Sequence, residues 1–355
     1  MNDNKPPIDW SDRLVGFGAG LSSALLFAAS TRGTGLAMAL AYVCILPLLI
    51  GAVGFSAISA LIGASVGAVF LGYAGEPLLG GAFFLGFGLP GFLLGLLSRL
   101  AYRRKTPVIA PDLAPEVAPA PVRLSPGALL AGAVALATLA AWGLTGGLIW
   151  SEGGFGAALG AALAEYGPAI EGALRNIKTI APEVDLALAK TIVVLCFPAA
   201  VAASQTLLLA FNLWLAARAV DISGRLDRDW PPLPETTVLP RGLAAAFVVA
   251  VGLCFLGAPV AVFAGAFAAS AAVALALQGL ACAHALTRDH GSRGALLATL
   301  YALVLVGLGL APPILGLLAL LGLADSAFNL RARRARAKTI PKIKETGENN
   351  GSDSA

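Results

Sequence analysis

Residues 242 to 287 read GLAAAFVVAVGLCFLGAPVAVFAGAFAASAAVALALQGLACAHALT, 46 consecutive positions without Asp, Glu, Lys or Arg. A helix rises about 1.5 Å per residue and the hydrocarbon slab of a bilayer is about 30 Å thick, so one span takes about 20 apolar residues. The run is too long for one span and long enough for two. Gly257, Ala258 and Pro259 lie near its middle and supply the break. Two consecutive membrane helices, Leu243 to Leu256 and Val260 to Leu286, are therefore expected, which sets the fold class for the whole chain.

The same pattern extends outward. Further charge-free windows cover 14 to 31, 33 to 75, 77 to 98, 124 to 151, 191 to 217 and 294 to 324. The window from 33 holds two spans, Leu36 to Gly51 and Val53 to Gly72, broken near Gly51 to Gly54. Single spans are expected at Leu14 to Ala29, Leu78 to Leu97, Ala128 to Trp150 and Thr191 to Leu215. The last window forms one tilted helix or two short ones hinged at Ala311, Pro312 and Pro313, because a double proline cannot continue a helix. Hydrophobic residues make up 58% of the 355 positions and charged residues 12%, too few charges to cover a water-soluble surface. An ordinary soluble enzyme, a coiled coil, a disordered tail protein and a single-span receptor are excluded.

Cytoplasmic loops collect Lys and Arg. Ten spans with both ends inside leave only Arg32, Arg175, Lys178 and Lys190 of the 24 basic residues outside. Nine spans would export the basic tail from Arg331 to Lys344. The expectation is an all-α, polytopic membrane protein of about ten transmembrane helices in a bacterial inner membrane, with cytoplasmic termini. It divides into an N-tail (1–13), a four-span part (14–105), a Pro-rich cytoplasmic linker (106–126), a six-span part (127–328) with an external amphipathic segment (151–190), and a basic tail (329–355). In the external segment Leu159, Leu163, Tyr166, Ile170, Leu174 and Ile177 recur at helical spacing, and Gly167 and Pro168 invite a kink. A retained first span is favoured over a cleaved signal, because three acids among the first twelve residues dilute the basic start such a signal needs.

Small residues form stripes. Gly16, Gly20, Ala24 and Ala28 recur every fourth position on the first span, as do Ser59, Gly63 and Gly67 on the third. Such stripes let helix backbones approach closely in lipid. Charged residues, which mark proton relays and coupling-ion sites when they lie inside spans, are absent from these windows. Cys44, Cys196, Cys254 and Cys282 have no CxxC or metal spacing and are expected as apolar packing residues. No phosphate loop, HExxH or GxSxG occurs. No cofactor, metal or catalytic residue is expected, and the chain does not read as an enzyme.

Uncharged polar residues carry what functional signal there is. Gln205 and Asn212 are seven apart on one face of the sixth span; Gln278 and His284 lie in the cytoplasmic half of the eighth; Asp325 ends the tenth. These positions suit either interhelical hydrogen bonding or a ligand site formed by Gln205, Asn212, Gln278 and His284. Pro47, Pro90 and Pro198 interrupt spans, as in transporters that expose backbone groups at mid-depth.

The run from Leu46 through Arg99, with the closing pattern Leu277, Gln278, Gly279, Leu280, then His284, then Leu320 to Asp325 followed by Arg331, Arg333 and Arg334, resembles the YybS-like membrane proteins of bacteria. The resemblance covers most of the chain outside the linker and the external segment and implies a place in the membrane rather than a mechanism. The amino-terminal half is also faintly similar to the S components of energy-coupling-factor transporters. The leading expectation is an inner-membrane protein that binds or transports a small uncharged or apolar solute or a lipid, without an energy source of its own. The alternative is a non-transporting scaffold for a membrane or cell-envelope complex, acting through its basic loops and tail. The lipid bilayer, a small-molecule or lipid ligand and an energising partner subunit are the partners considered; nucleic acid is not.

Overall fold

The computed structural model describes residues 10–30, 34–101, 125–180, 183, 185–226, 232–309 and 313–339. Among these the chain is helical throughout, with no β-strand. Most of the linker expected at 106–126, the hinge at Ala311 and Pro312, and the last part of the tail lie outside the described residues. The helices are α1 (Trp10–Ser30), α2 (Gly35–Ala41), α3 (Leu46–Gly54), α4 (Ala57–Ala74), α5 (Pro77–Phe83), α6 (Leu89–Ala101), α7 (Pro126–Ser151), α8 (Phe155–Ile180), α9 (Leu186–Ile222), α10 (Leu233–Thr236), α11 (Arg241–Leu253), α12 (Ala258–Leu286), α13 (Arg293–Gly309), α14 (Pro313–Phe328) and α15 (Leu330–Thr339). A π-helical turn, Phe84–Gly88, joins α5 to α6.

Among the described residues seven helical stretches are long and apolar enough to cross a membrane: α1, α2 with α3, α4, α5 through α6, α7, α9 and α12. Apolar helices α11, α13 and α14 are shorter. At about 1.5 Å per residue, the 13 residues of α11 reach about 20 Å, less than the hydrocarbon thickness. The outer surface carries large apolar side chains such as Leu25, Val69, Leu144, Phe197, Val249 and Leu305. Such a surface suits lipid rather than water.

Local chemistry sets the helix ends. Ser56, Ser125 and Asp185 accept N-terminal amides of α4, α7 and α9, and Pro126 follows its cap at the first helical position. The break expected in the long run falls at Gly257, whose φ of 114° suits glycine, and α12 starts directly after it. The break expected near Gly51 to Gly54 falls slightly later, at Phe55 and Ser56.

The two small-residue stripes pack against each other. A Cβ on Gly16 would lie 2.6 Å from the Ser59 carbonyl oxygen, and one on Gly20 would lie 2.8 Å from the Gly63 Cα. Ser59 Oγ also donates to the Asp12 carbonyl across this crossing, at 2.8 Å. Two buried clusters flank α7 and α9. One gathers Leu48, Leu49, Phe83 and Leu94 with Leu209 and Leu213 of α9; the other gathers Leu130 and Val134 of α7 with Ala271 and Leu275 of α12. Long helix α9 thus stands between the amino-terminal group α1–α6 and the carboxyl-terminal group. Replacing Gly20 with Ala should lower stability by about 1–3 kcal/mol through overpacking. Gly18→Ala, with open space beside it, should be neutral or stabilising by up to about 1 kcal/mol. Thermal unfolding of the detergent-solubilised variants checks both.

Candidate functional site

Gln205 and Asn212 share one face of α9, turned toward the amino-terminal group. Pro90 has no amide hydrogen to give the Gly86 carbonyl four residues before it, inside the π-helical turn. Gln205 Nε2 donates to that carbonyl at 2.6 Å. At the α2–α3 break the amide of Leu46 donates to Val43 rather than to Tyr42, four residues back. Asn212 Nδ2 donates to the Tyr42 carbonyl at 2.7 Å and to Leu208 at 2.8 Å. Both amides therefore satisfy backbone carbonyls at interrupted helices, as a low-dielectric environment requires. Fully buried Asn212 keeps an Oδ1 with no donor among the described residues. Next to Gln205, Thr206 pairs with Ser270 of α12 and ties α9 to the other group.

Gln278 belongs to a second network. Its Nε2 donates to Asp325 Oδ2 at 2.8 Å and to Ser326 Oγ at 3.1 Å; its Oε1 accepts the Leu239 amide at 2.9 Å, at the entry to α11. Asp325 is 3% exposed and pairs with Arg331, whose Nη2 lies 2.6 Å from Oδ2 and whose Nε lies 3.0 Å from it. The same guanidinium donates to the Pro234 and Thr237 carbonyls at 2.9 and 2.7 Å, at the C-terminal end of the single turn α10. One arginine thereby holds α14, α15 and the α10–α11 connection together. Read in the sequence as part of a basic tail, Arg331 is an internal clasp.

His284 stands apart from the other three. Its Nε2 shares a 2.8 Å hydrogen bond with Tyr301 Oη of α13, and the rings meet edge to face at 5.7 Å. Both residues line an open groove of about 620 Å³ between α7, α9 and α12, within the size range of small-molecule sites. Its walls are apolar: Leu130, Leu207, Phe211, Trp214, Leu277 and Leu280 among others. Leu207, Phe211 and Trp214 are half exposed, so the groove opens sideways on the apolar surface. Leu233, Pro234 and Thr237 also line it, and they belong to the segment held by Arg331.

No family model, curated protein or solved structure matches the chain. The chemistry available is therefore what the geometry offers. Of the four residues singled out in the sequence, Gln205, Asn212 and Gln278 face interhelical partners, while His284 lines the groove. Tyr301 was missed, since a tyrosine inside an apolar window carries no signal of its own. Helix α8 packs along α9, with Glu171 and Lys190 paired at 3.0 Å, and contributes no residue to the groove. Among the described residues no group of three His, Cys, Asp or Glu could hold a metal ion.

Removing one partner of each contact should destabilise the fold. Gln205→Leu leaves the Gly86 carbonyl without its side-chain donor and should cost about 1–3 kcal/mol. Arg331→Met leaves Asp325 as a buried unpaired charge and should cost about 3–5 kcal/mol, more than the double variant Arg331→Met/Asp325→Leu. A double-mutant cycle by thermal or denaturant unfolding checks the second pair.

Proposed function

We propose that the chain is a polytopic inner-membrane protein of ten spans whose sideways-open groove binds a largely apolar, lipid-like molecule. The observation that carries this reading is the groove itself: largely apolar walls from α7, α9 and α12, with the polar pair His284 and Tyr301, and Thr237, among its lining. That division matches an amphipathic occupant, with a chain along the walls and a polar end at the pair. The ten spans are the seven long stretches with α11, α13 and α14; α11 and α14 pack against the long helix α12, and α13 packs against α14. In this topology the groove's polar end lies at the cytoplasmic boundary, where Trp214 also sits. The groove supports lipid binding more directly than ion-coupled transport.

The ligand site is accordingly placed at His284 and Tyr301, with Gln205, Asn212 and Gln278 holding the helices that form the walls. Arg331 is part of that support, so a truncation that tests the tail as a docking segment should begin after Thr339.

Ala281 lines the groove, and Ala281→Trp should fill it. Protein purified in mild detergent should retain lipid in native mass spectrometry, and the folded Ala281→Trp protein should retain much less; equal retention would refute the groove as the site. Topology has its own check. In a variant lacking the four native cysteines, a cysteine at Glu152 should react with an impermeant thiol reagent from outside and one at Arg336 should not.

A further inference from the structure

Lipid tails are as apolar as leucine, so a chain that leaves the bilayer for the groove exchanges one hydrocarbon surrounding for another. Selectivity must then come from the polar groups of the lining. Among the described residues that line the groove there is no Asp, Glu, Lys or Arg; its polar side chains are Trp214, Thr237, His284 and Tyr301. Charge is sorted into a second cavity of about 430 Å³, lined by Glu235, Arg288, Asp289, Asp325, Arg331 and Arg334. One short segment serves both: Leu233, Pro234 and Thr237 line the groove, whereas Glu235 and Val238 line the charged cavity. In that cavity Arg288 pairs with Glu235 and Arg331 with Asp325. A charged head laid among the groove's walls would leave water without a fixed counter-charge, which is costly.

We propose that the occupant is an uncharged lipid alcohol, of the diacylglycerol or prenyl alcohol kind, with its hydroxyl bonded to the His284–Tyr301 pair. The proposal rests on the groove reading above and adds the chemistry of the head. His284 Nε2 and Tyr301 Oη, 2.8 Å apart, share one hydrogen between them. If Tyr301 gives its hydrogen to Nε2, an Oη lone pair is left to accept from the ligand; if Nε2 gives the hydrogen, the tyrosine O–H is left to donate. A hydroxyl is matched in both states, because it donates and accepts. An ester oxygen is matched only when Tyr301 has a hydrogen to give. Tyr301 is 45% exposed, so a ligand can reach the pair.

The test uses the full-length protein in mild detergent and two matched sets of lipids: a diacylglycerol with its acetate and its phosphate, and a prenyl alcohol with its acetate and its phosphate. Retained lipids are counted by native mass spectrometry. In at least one set wild type should retain the alcohol over the acetate by about fivefold, the worth of one hydrogen bond, and over the phosphate by about tenfold or more; the set that shows this names the source. Tyr301→Phe keeps the ring that meets His284 edge to face and should lose the preference over the acetate. Equal retention of alcohol and acetate by wild type in both sets would overturn the proposal without needing any variant. So would retention of the phosphates at or above their alcohols, or an unchanged preference in folded Tyr301→Phe. If Ala281→Trp expels lipid that wild type holds without regard to its head, the groove stands and the hydroxyl assignment falls. If Ala281→Trp expels nothing, both fall.

Discussion

In hydrocarbon, no water is present to take up a backbone amide or carbonyl that a helix leaves unpaired. This chain breaks its helices often, and side chains from distant helices meet the resulting orphans. Gln205 answers the Gly86 carbonyl in the π-helical turn; Asn212 answers Tyr42; Gln278 answers the Leu239 amide. Arg99 Nη1 donates to the Ala52 and Phe55 carbonyls, both at 2.9 Å, where α3 ends. Arg331 does the same for α10. Each of these polar contacts is worth only about 0.6–2 kcal/mol in a membrane, yet together they fix where the broken helices lie.

The groove depends on the same solution. Its walls belong to helices that Gln205, Asn212, Thr206 and Ser270 hold on two sides of α9, and part of its lining belongs to a connection held by Arg331. Close backbone approach at Gly16, Gly20 and Gly63 sets one side of the bundle, and Gly279 against Leu318 with Gly322 against Leu275 sets the α12–α14 side. A cavity beside helices packed this tightly marks a place where the surrounding side chains do not interdigitate, despite their number.

The all-helical membrane character, the breaks at Gly257 and near Gly54, and the two small-residue stripes were legible in the sequence, because each depends on composition or spacing within a single segment; that the stripes face each other, and that the span from Leu36 breaks at Tyr42 to Ile45, were not. The polar residues Gln205, Asn212 and Gln278 were legible as unusual, but not their partners. Gly86 and Tyr42 lie 119 and 170 residues away and take part through backbone carbonyls, which no side-chain pattern reports. Arg331 was hidden by its neighbours: among Arg333, Arg334 and Arg336 nothing in the sequence marks the one that turns inward to Asp325. Tyr301 was hidden for a similar reason, inside an apolar window.

The contacts at Gly86 and Tyr42 divide their chemistry unequally between their two ends. The donor is a side chain that few substitutions could replace, whereas the acceptor is main chain that every residue type possesses. Sequence drift at position 42 can change the tyrosine without touching the bond, provided the chain keeps its path, while drift at position 212 removes it. Descendants of this chain would thus keep the amides of α9 long after the segments they hold had become unrecognisable.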